Sequence, residues 1–147
     1  MSASLLIKDA LLVALLIAVG VMGYRLWNMR QGGTAAVLRD TPAVGAHGWR
    51  HGVIRYRGDE AAFYQLSSVR LWPDRRLSRR GCEIAARRPP RSDESDIMTE
   101  ETMVLELLDA SGEHPRTYEL ALDRGALTAF LSWVESRPSP RARRRAD

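Results

Sequence analysis

Cysteine is almost absent. Cys82 stands alone, which excludes an intramolecular disulfide and fits a reducing compartment without proving one. No Cys/His pair has the spacing of a zinc site. His47, His51 and His114 have neither cysteine partners nor carboxylates at ligand intervals, so they are expected as strand or surface residues. Lysine is nearly missing too: of 22 basic residues only Lys8 is not arginine. A GC-rich genome replaces lysine with arginine, and a planar guanidinium suits carboxylate and phosphate partners, so both explanations stand. There is no phosphate-cradling glycine loop, and Ser67, Ser68 and Ser78 lack the glycine-flanked turn of a hydrolase nucleophile. Asp93, Glu94, Asp96, Glu100 and Glu101 fall in a polar stretch where solvated carboxylates are expected. These absences leave no cofactor and no catalytic residue to expect, and point away from an enzyme.

What the chain does have, first, is a long apolar run. Ala10 to Gly23 carries no polar side chain, and Leu5 to Ile7 and Tyr24 to Trp27 extend it on either side. As a helix, Ala10 to Trp27 rises about 27 Å, close to the ~30 Å hydrocarbon thickness of a bilayer. Tyr24 and Trp27 suit the interface, and Arg25 can snorkel outward from the same turn. Lys8 precedes the run beside Asp9, whereas Arg25, Arg30 and Arg39 follow it with only Asp40 opposed. That asymmetry predicts a single-pass cell-membrane protein whose soluble part faces the cytoplasm. A cleaved signal peptide competes, with Ala18-Val19-Gly20 as its small-residue site, but its basic residues would lie on the wrong side of the run.

Beyond the anchor (1–27), Gln31-Gly32-Gly33-Thr34 and Thr41-Pro42-Ala43-Val44-Gly45 bracket small residues and predict a linker over 28–46. A domain is then expected over 47–137 and a basic tail over 138–147. Trp49 to Arg57 and Ala61 to Leu66 read as the two arms of a hairpin around Gly58-Asp59-Glu60. Ser68 to Trp72 continues the β character until Pro73-Asp74-Arg75-Arg76 turns it. Cys82 to Ala86 is a short strand. Ile97 to Leu108 is ambiguous between helix and strand by its own periodicity. The clean alternation of Thr117 to Leu122 favours strand for both. Asp123 caps a helix whose stripe is Leu127, Phe130, Leu131 and Val134, with Trp133 beside it and Pro138 and Pro140 ending it. The expectation is an α+β fold: one transmembrane helix, then a small mainly β barrel or sandwich closed by an amphipathic helix.

Two strings, His47-Gly-Trp-Arg-His-Gly-Val-Ile-Arg-Tyr-Arg-Gly58 and Leu71-Trp-Pro-Asp-Arg-Arg-Leu-Ser-Arg-Arg-Gly81, resemble an actinobacterial membrane-anchored family of unknown function, DUF2550. Asp123 to Trp133 and the tail from Arg137 are similar to the same family's C-terminal end. The resemblance implies no assigned activity. It implies a mycobacterial relative encoded beside the F-type ATP synthase, and so an alternative role as accessory or assembly factor for a membrane enzyme complex. By architecture alone the domain also looks like a pleckstrin-homology barrel. Such barrels bind phosphoinositides with basic residues around the first hairpin loop. Here Arg55 and Arg57 precede a turn that carries Asp59 and Glu60, a departure from that pattern.

Charge is segregated along the chain: net +7 over 50–91, −8 over 92–124 and +4 from Arg137 onward. One reading is self-complementarity, basic and acidic strands pairing across a sheet at about 0–1 kcal/mol per exposed pair. The other is a basic face of Arg75, Arg76, Arg79, Arg80, Arg87, Arg88 and Arg91 that meets anionic lipid or a protein partner, helped by Arg141 to Arg145 as an arm. Nucleic acid is the remaining polyanion. Trp49, Tyr56 and Tyr64 offer stacking surfaces, but no nucleic-acid motif is present and a membrane tether disfavours that partner.

Overall fold

The computed structural model describes residues 3–136, so the expected basic tail, with Arg141 to Arg145, lies outside the described residues. The chain divides into two units, 1–32 and 33–147. The first is helix α1 (Ala3–Arg30), which starts before the Lys8-Asp9 pair instead of after it. By length and composition α1 is able to cross a membrane, and none of its apolar window is buried; a signal sequence shares its length, hydropathy and N-terminal place.

The second unit holds seven antiparallel strands and a C-terminal helix: β1 (Thr34–Asp40), β2 (Arg50–Arg57), β3 (Glu60–Gln65), β4 (Arg75–Ser78), β5 (Cys82–Arg88), β6 (Met103–Asp109), β7 (Arg116–Leu122) and α2 (Arg124–Glu135). The α+β expectation holds, with a sheet curled into a half-barrel. Its order is β4-β3-β2-β1-β7-β6-β5. The stretch expected as linker is thus corrected: residues 34–40 form the middle strand of the sheet, bonded to β2 on one side and β7 on the other. Thr34, Ala35 and Ala36 are too small to print an apolar period, so backbone ladders on both sides hold this strand. The domain begins at Gly33, and only Gln31 to Gly33 separate β1 from α1.

The curl follows from connectivity. β4 and β5 lie at opposite edges of the sheet, yet only Arg79, Arg80 and Gly81 join them. From Ser78 to Cys82 the chain reaches at most about 14 Å. Two edges five strands apart approach that closely only if the sheet wraps round. Gly81 then extends the β5–β6 ladder by one step: its carbonyl accepts from Ala110 N at 3.0 Å, and a Cβ there would come within 2.7 Å of the Ser111 side chain.

The concave side is the core, with Leu38, Ile54, Phe63, Leu77, Leu105, Leu107, Leu120 and Leu122 packed against Phe130 and Trp133 of α2. Asp123 caps the helix by accepting from Ala126 N at 2.7 Å. The helix stripe is rotated from the expected one. Ala126, Phe130 and Trp133 are its buried residues, while Leu127 and Val134 pack at its margin. Trp133 stacks 5.5 Å from Tyr56 and donates Nε1–H to Gly58 O at 3.0 Å, so its polar edge is satisfied where a leucine would need none.

Two further expectations change. Residues 97–102 form turns, and the strand begins at Met103. Ser68 to Trp72 is an irregular loop, and the strand is Arg75 to Ser78, beginning inside the turn expected over Pro73 to Arg76. Arginine on a short edge strand is the usual defence of an open edge, which is why it hides the β signal here.

Candidate functional site

The seven arginines expected as one basic face do not share a face. Arg75 points to the same side of β4 as Leu77 and closes a bidentate pair with Asp40 of β1, at 3.0 and 2.7 Å. The Arg75 guanidinium holds the Asp40 carboxyl below its usual range. Arg76, on the other side of β4, meets Glu60 at 3.1 Å. Arg79 pairs with Asp59 and donates to Ser136 Oγ at 2.7 Å, and Arg80 reaches the same Asp59 at 3.2 Å. Hydrogen bonding from Arg79 lowers the Asp59 pKa. Arg87 and Arg91 are exposed and make no ion pair among the described residues.

Arg88 belongs to a buried charge cluster on the outer side of the sheet. The outer face of β1, β7 and β6 is not open to water, because the segment 89–101 folds across it. Met98 and Ile97 from that segment pack on Val37, Val104, Ala121 and Trp49. Next to this small apolar patch lie four charges: Arg39 of β1, Glu119 of β7, Arg88 of β5 and Glu94 of the segment itself. Arg39 pairs with Glu119, its register partner across the β1–β7 ladder, and lies 3.4 Å from Glu94. Arg88 grips Glu94 through two bonds of 2.7 and 2.9 Å and reaches Glu119 at 2.8 Å. Arg39 Nη1 also donates to Gly45 O at 2.6 Å, and its guanidinium carbon sits 4.5 Å from the centre of the Trp49 ring.

Glu94 is wholly buried, which corrects the expectation that it is solvated. Arg88, the Arg91 backbone N–H at 2.8 Å and the charge of Arg39 together bring its pKa down to about 2. At Glu119, burial alone would raise the pKa; hydrogen bonds from Arg39 and Arg88 outweigh it and lower it. The same carboxylates raise the pKa of Arg88. Two positive and two negative charges thus close on themselves. The self-complementarity expected from charge segregation is real, but its main site is buried rather than spread over the surface. One signal for it was present in the sequence: Ala121 is apolar at an outward position of β7, as a covered face requires.

Elsewhere, a surface recess of about 400 Å³ is lined by Arg76, Asp109, Ser111, His114, Arg116 and Tyr118. Asp109 is committed within it, accepting from the Ser111 backbone at 3.0 Å and hydroxyl at 2.6 Å. The three histidines stay apart: His47 offers its carbonyl towards Arg39 at 3.5 Å, His51 lines a different recess beside Leu66, and His114 lies in the first. No group of three or more His, Cys, Asp or Glu side chains among the described residues is placed to hold a metal ion.

Comparison with known proteins agrees with the resemblance in the strings 47–58 and 71–81. An uncharacterised protein of Mycobacterium tuberculosis (strain ATCC 25618 / H37Rv) is 68% identical over 146 residues, covering 99% of each chain. An uncharacterised protein of Mycobacterium leprae (strain TN) is 66% identical over the same length and shares. Residues 11–140 match the model described as "Protein of unknown function (DUF2550)", a span that takes in most of α1 and every strand of the sheet. The chain therefore belongs to the DUF2550 family of proteins of unknown function.

Proposed function

We propose that this chain is a non-enzymatic binding or scaffolding module, held at the membrane by α1 with its sheet domain on the cytoplasmic side. Its partner is a membrane protein or anionic lipid met through exposed arginines. The observation that carries this reading is what remains on the surface after internal pairing. Arg76 and Arg80 are 61% and 67% exposed in single-contact pairs, and Arg87 and Arg91 have no ion-pair partner among the described residues. Exposed pairs of this kind contribute about 0–1 kcal/mol, so a phosphate or an acidic peptide exchanges into them at little cost. Arg75, Arg79 and Arg88 instead hold the domain together and leave the recognition set.

The seven-strand order with a C-terminal helix supports the pleckstrin-homology analogy. It also moves the comparison: with β1 in place the first hairpin loop is 41–49, and the turn with Asp59 and Glu60 is the second. Neither loop presents the arginines proposed here, so headgroup selection of the phosphoinositide kind is not part of the proposal.

The test begins with topology. A C-terminal fusion to paired reporters, each active on one side of the membrane, is expected to give cytoplasmic signal; export would overturn the orientation. Crosslinked full-length protein is then recovered from native membranes alongside R76Q/R80Q/R87Q/R91Q. Loss of the partner or lipid in the variant and at high salt supports recognition by these arginines. Co-purification with a membrane complex that survives both would shift the reading to an accessory or assembly factor, for a complex such as the ATP synthase, that binds by another surface.

A further inference from the structure

The β3–β4 connection reverses the rule followed by the rest of the domain. Leu66, Val69, Leu71 and Trp72 are 54%, 76%, 47% and 61% exposed. Apart from Val44, no other large apolar side chain of the sheet domain is exposed among the described residues. Ser67, Ser68 and Arg70 are interspersed with them, and Pro73 closes the loop. The loop is not loosely attached. Leu66 N donates to His51 O at 2.9 Å, and Gln65 N donates to the Asp74 carboxylate at 2.8 Å, pinning both ends to the sheet. A pinned loop that holds a tryptophan, two leucines and a valine out to solvent loses free energy in water unless something apolar receives it.

We infer that this loop enters the interfacial layer of the lipid bilayer as a second, non-covalent attachment beside α1. The occupant is argued from the chain itself. A helix able to span a membrane ends three residues before the sheet begins, so the domain works beside a lipid surface. The loop's apolar residues are those that partition there: an indole for the headgroup boundary and aliphatic side chains for the upper acyl region. Four exposed apolar residues in seven positions make a compact tip, too small for a stable protein interface of standard size yet sufficient for a tethered domain, whose effective concentration at the membrane is already high. The tether enters β1 at Thr34, while the loop leaves the sheet beside Asp40 at the far end of that strand, where Arg75 joins the two. The inference rests on α1 being a membrane span.

The experiment uses the full chain in nanodiscs of phosphatidylcholine and phosphatidylglycerol. Cys82 is fully buried, so an added cysteine takes a nitroxide label selectively. Labels are placed one at a time at Val69→Cys, at Leu15→Cys within α1, and at Glu113→Cys in the β6–β7 loop as an aqueous reference. Collision with oxygen is compared with collision with a water-soluble nickel chelate. The expected result is an oxygen-to-nickel ratio at position 69 several-fold above that at 113 and below that at 15, falling to the aqueous value when Leu71→Ser and Trp72→Ser are added. A lipid-like ratio at 15 with an aqueous ratio at 69 overturns the inference and leaves the anchor intact. Aqueous ratios at both overturn the anchor as well. Protection at 69 that appears only in native membranes, or only as protein concentration rises, assigns the loop to a protein partner or a second copy and overturns it too.

Discussion

Two irregular segments of the same domain invert what their compositions suggest. Residues 89–101 are mostly polar and charged, yet they bury Glu94 completely and Met98 nearly so. Residues 66–73 are rich in leucine, valine and tryptophan, yet leave them outside. The difference lies in what each segment can pair with. Glu94 meets two guanidiniums and a backbone N–H that satisfy its charge, so burial costs it little. The large apolar side chains of the 66–73 loop find no such cover and stay 47–76% exposed. Burial is therefore set by available partners, not by hydropathy.

That contrast is best tested at its strongest point. Glu94→Ala leaves Arg39 and Arg88 facing only Glu119, and is expected to cost about 3–5 kcal/mol in chemical denaturation of the sheet domain. Replacing all four charges together by apolar residues of similar volume is expected to cost far less, because no uncompensated charge remains. A small loss for Glu94→Ala alone would mean that water reaches the cluster.

The same carboxylate predicts a pH dependence. Its pKa is about 2 in the folded chain against 4.5 for an ordinary glutamate, so its protonated form is disfavoured by folding. The resulting stability is fully present above pH 4.5 and is lost as pH falls towards 2; Glu119, also lowered, acts in the same direction. Denaturation midpoints taken across that window are expected to fall in the wild type, and to fall less in Glu94→Gln.

Smaller effects are expected at the rim. Asp40→Asn breaks a half-exposed pair and is expected to cost under about 1 kcal/mol, with 0.5 M salt removing most of the difference. Smallest of all, Leu71→Ser with Trp72→Ser is expected to stay within about 0.5 kcal/mol of wild-type stability, since the side chains have no core to leave. A large loss there would show that the loop packs on the domain after all.

Much of this architecture was legible. The apolar run named α1, alternation named β7, and the Asp123 cap with Phe130 named α2. β1 was not legible, because Thr-Ala-Ala carries no pattern and its place depends on two ladders with strands distant in sequence. β4 was missed because an edge strand is written in arginine. The candidate site suffered most. A list of arginines reads as a surface until the sheet brings Asp40, Asp59, Glu60, Glu94 and Glu119 to them from elsewhere in the chain. Trp133 was placed beside its helix stripe because a hydrophobic period cannot foresee that Gly58 offers its indole a carbonyl.

The central position of β1 has a mechanical consequence. Whatever α1 is fixed to, tension arriving through Gln31 to Gly33 enters the domain at a strand flanked on both sides, not at an edge. Pulling along β1 loads the ladders to β2 and β7 together, in shear, so many hydrogen bonds must yield at once. An edge strand would unzip one bond at a time. The fold thus takes any load from α1 at the strand where the sheet resists extraction best, and a domain so mounted bears tension along that connection without unzipping.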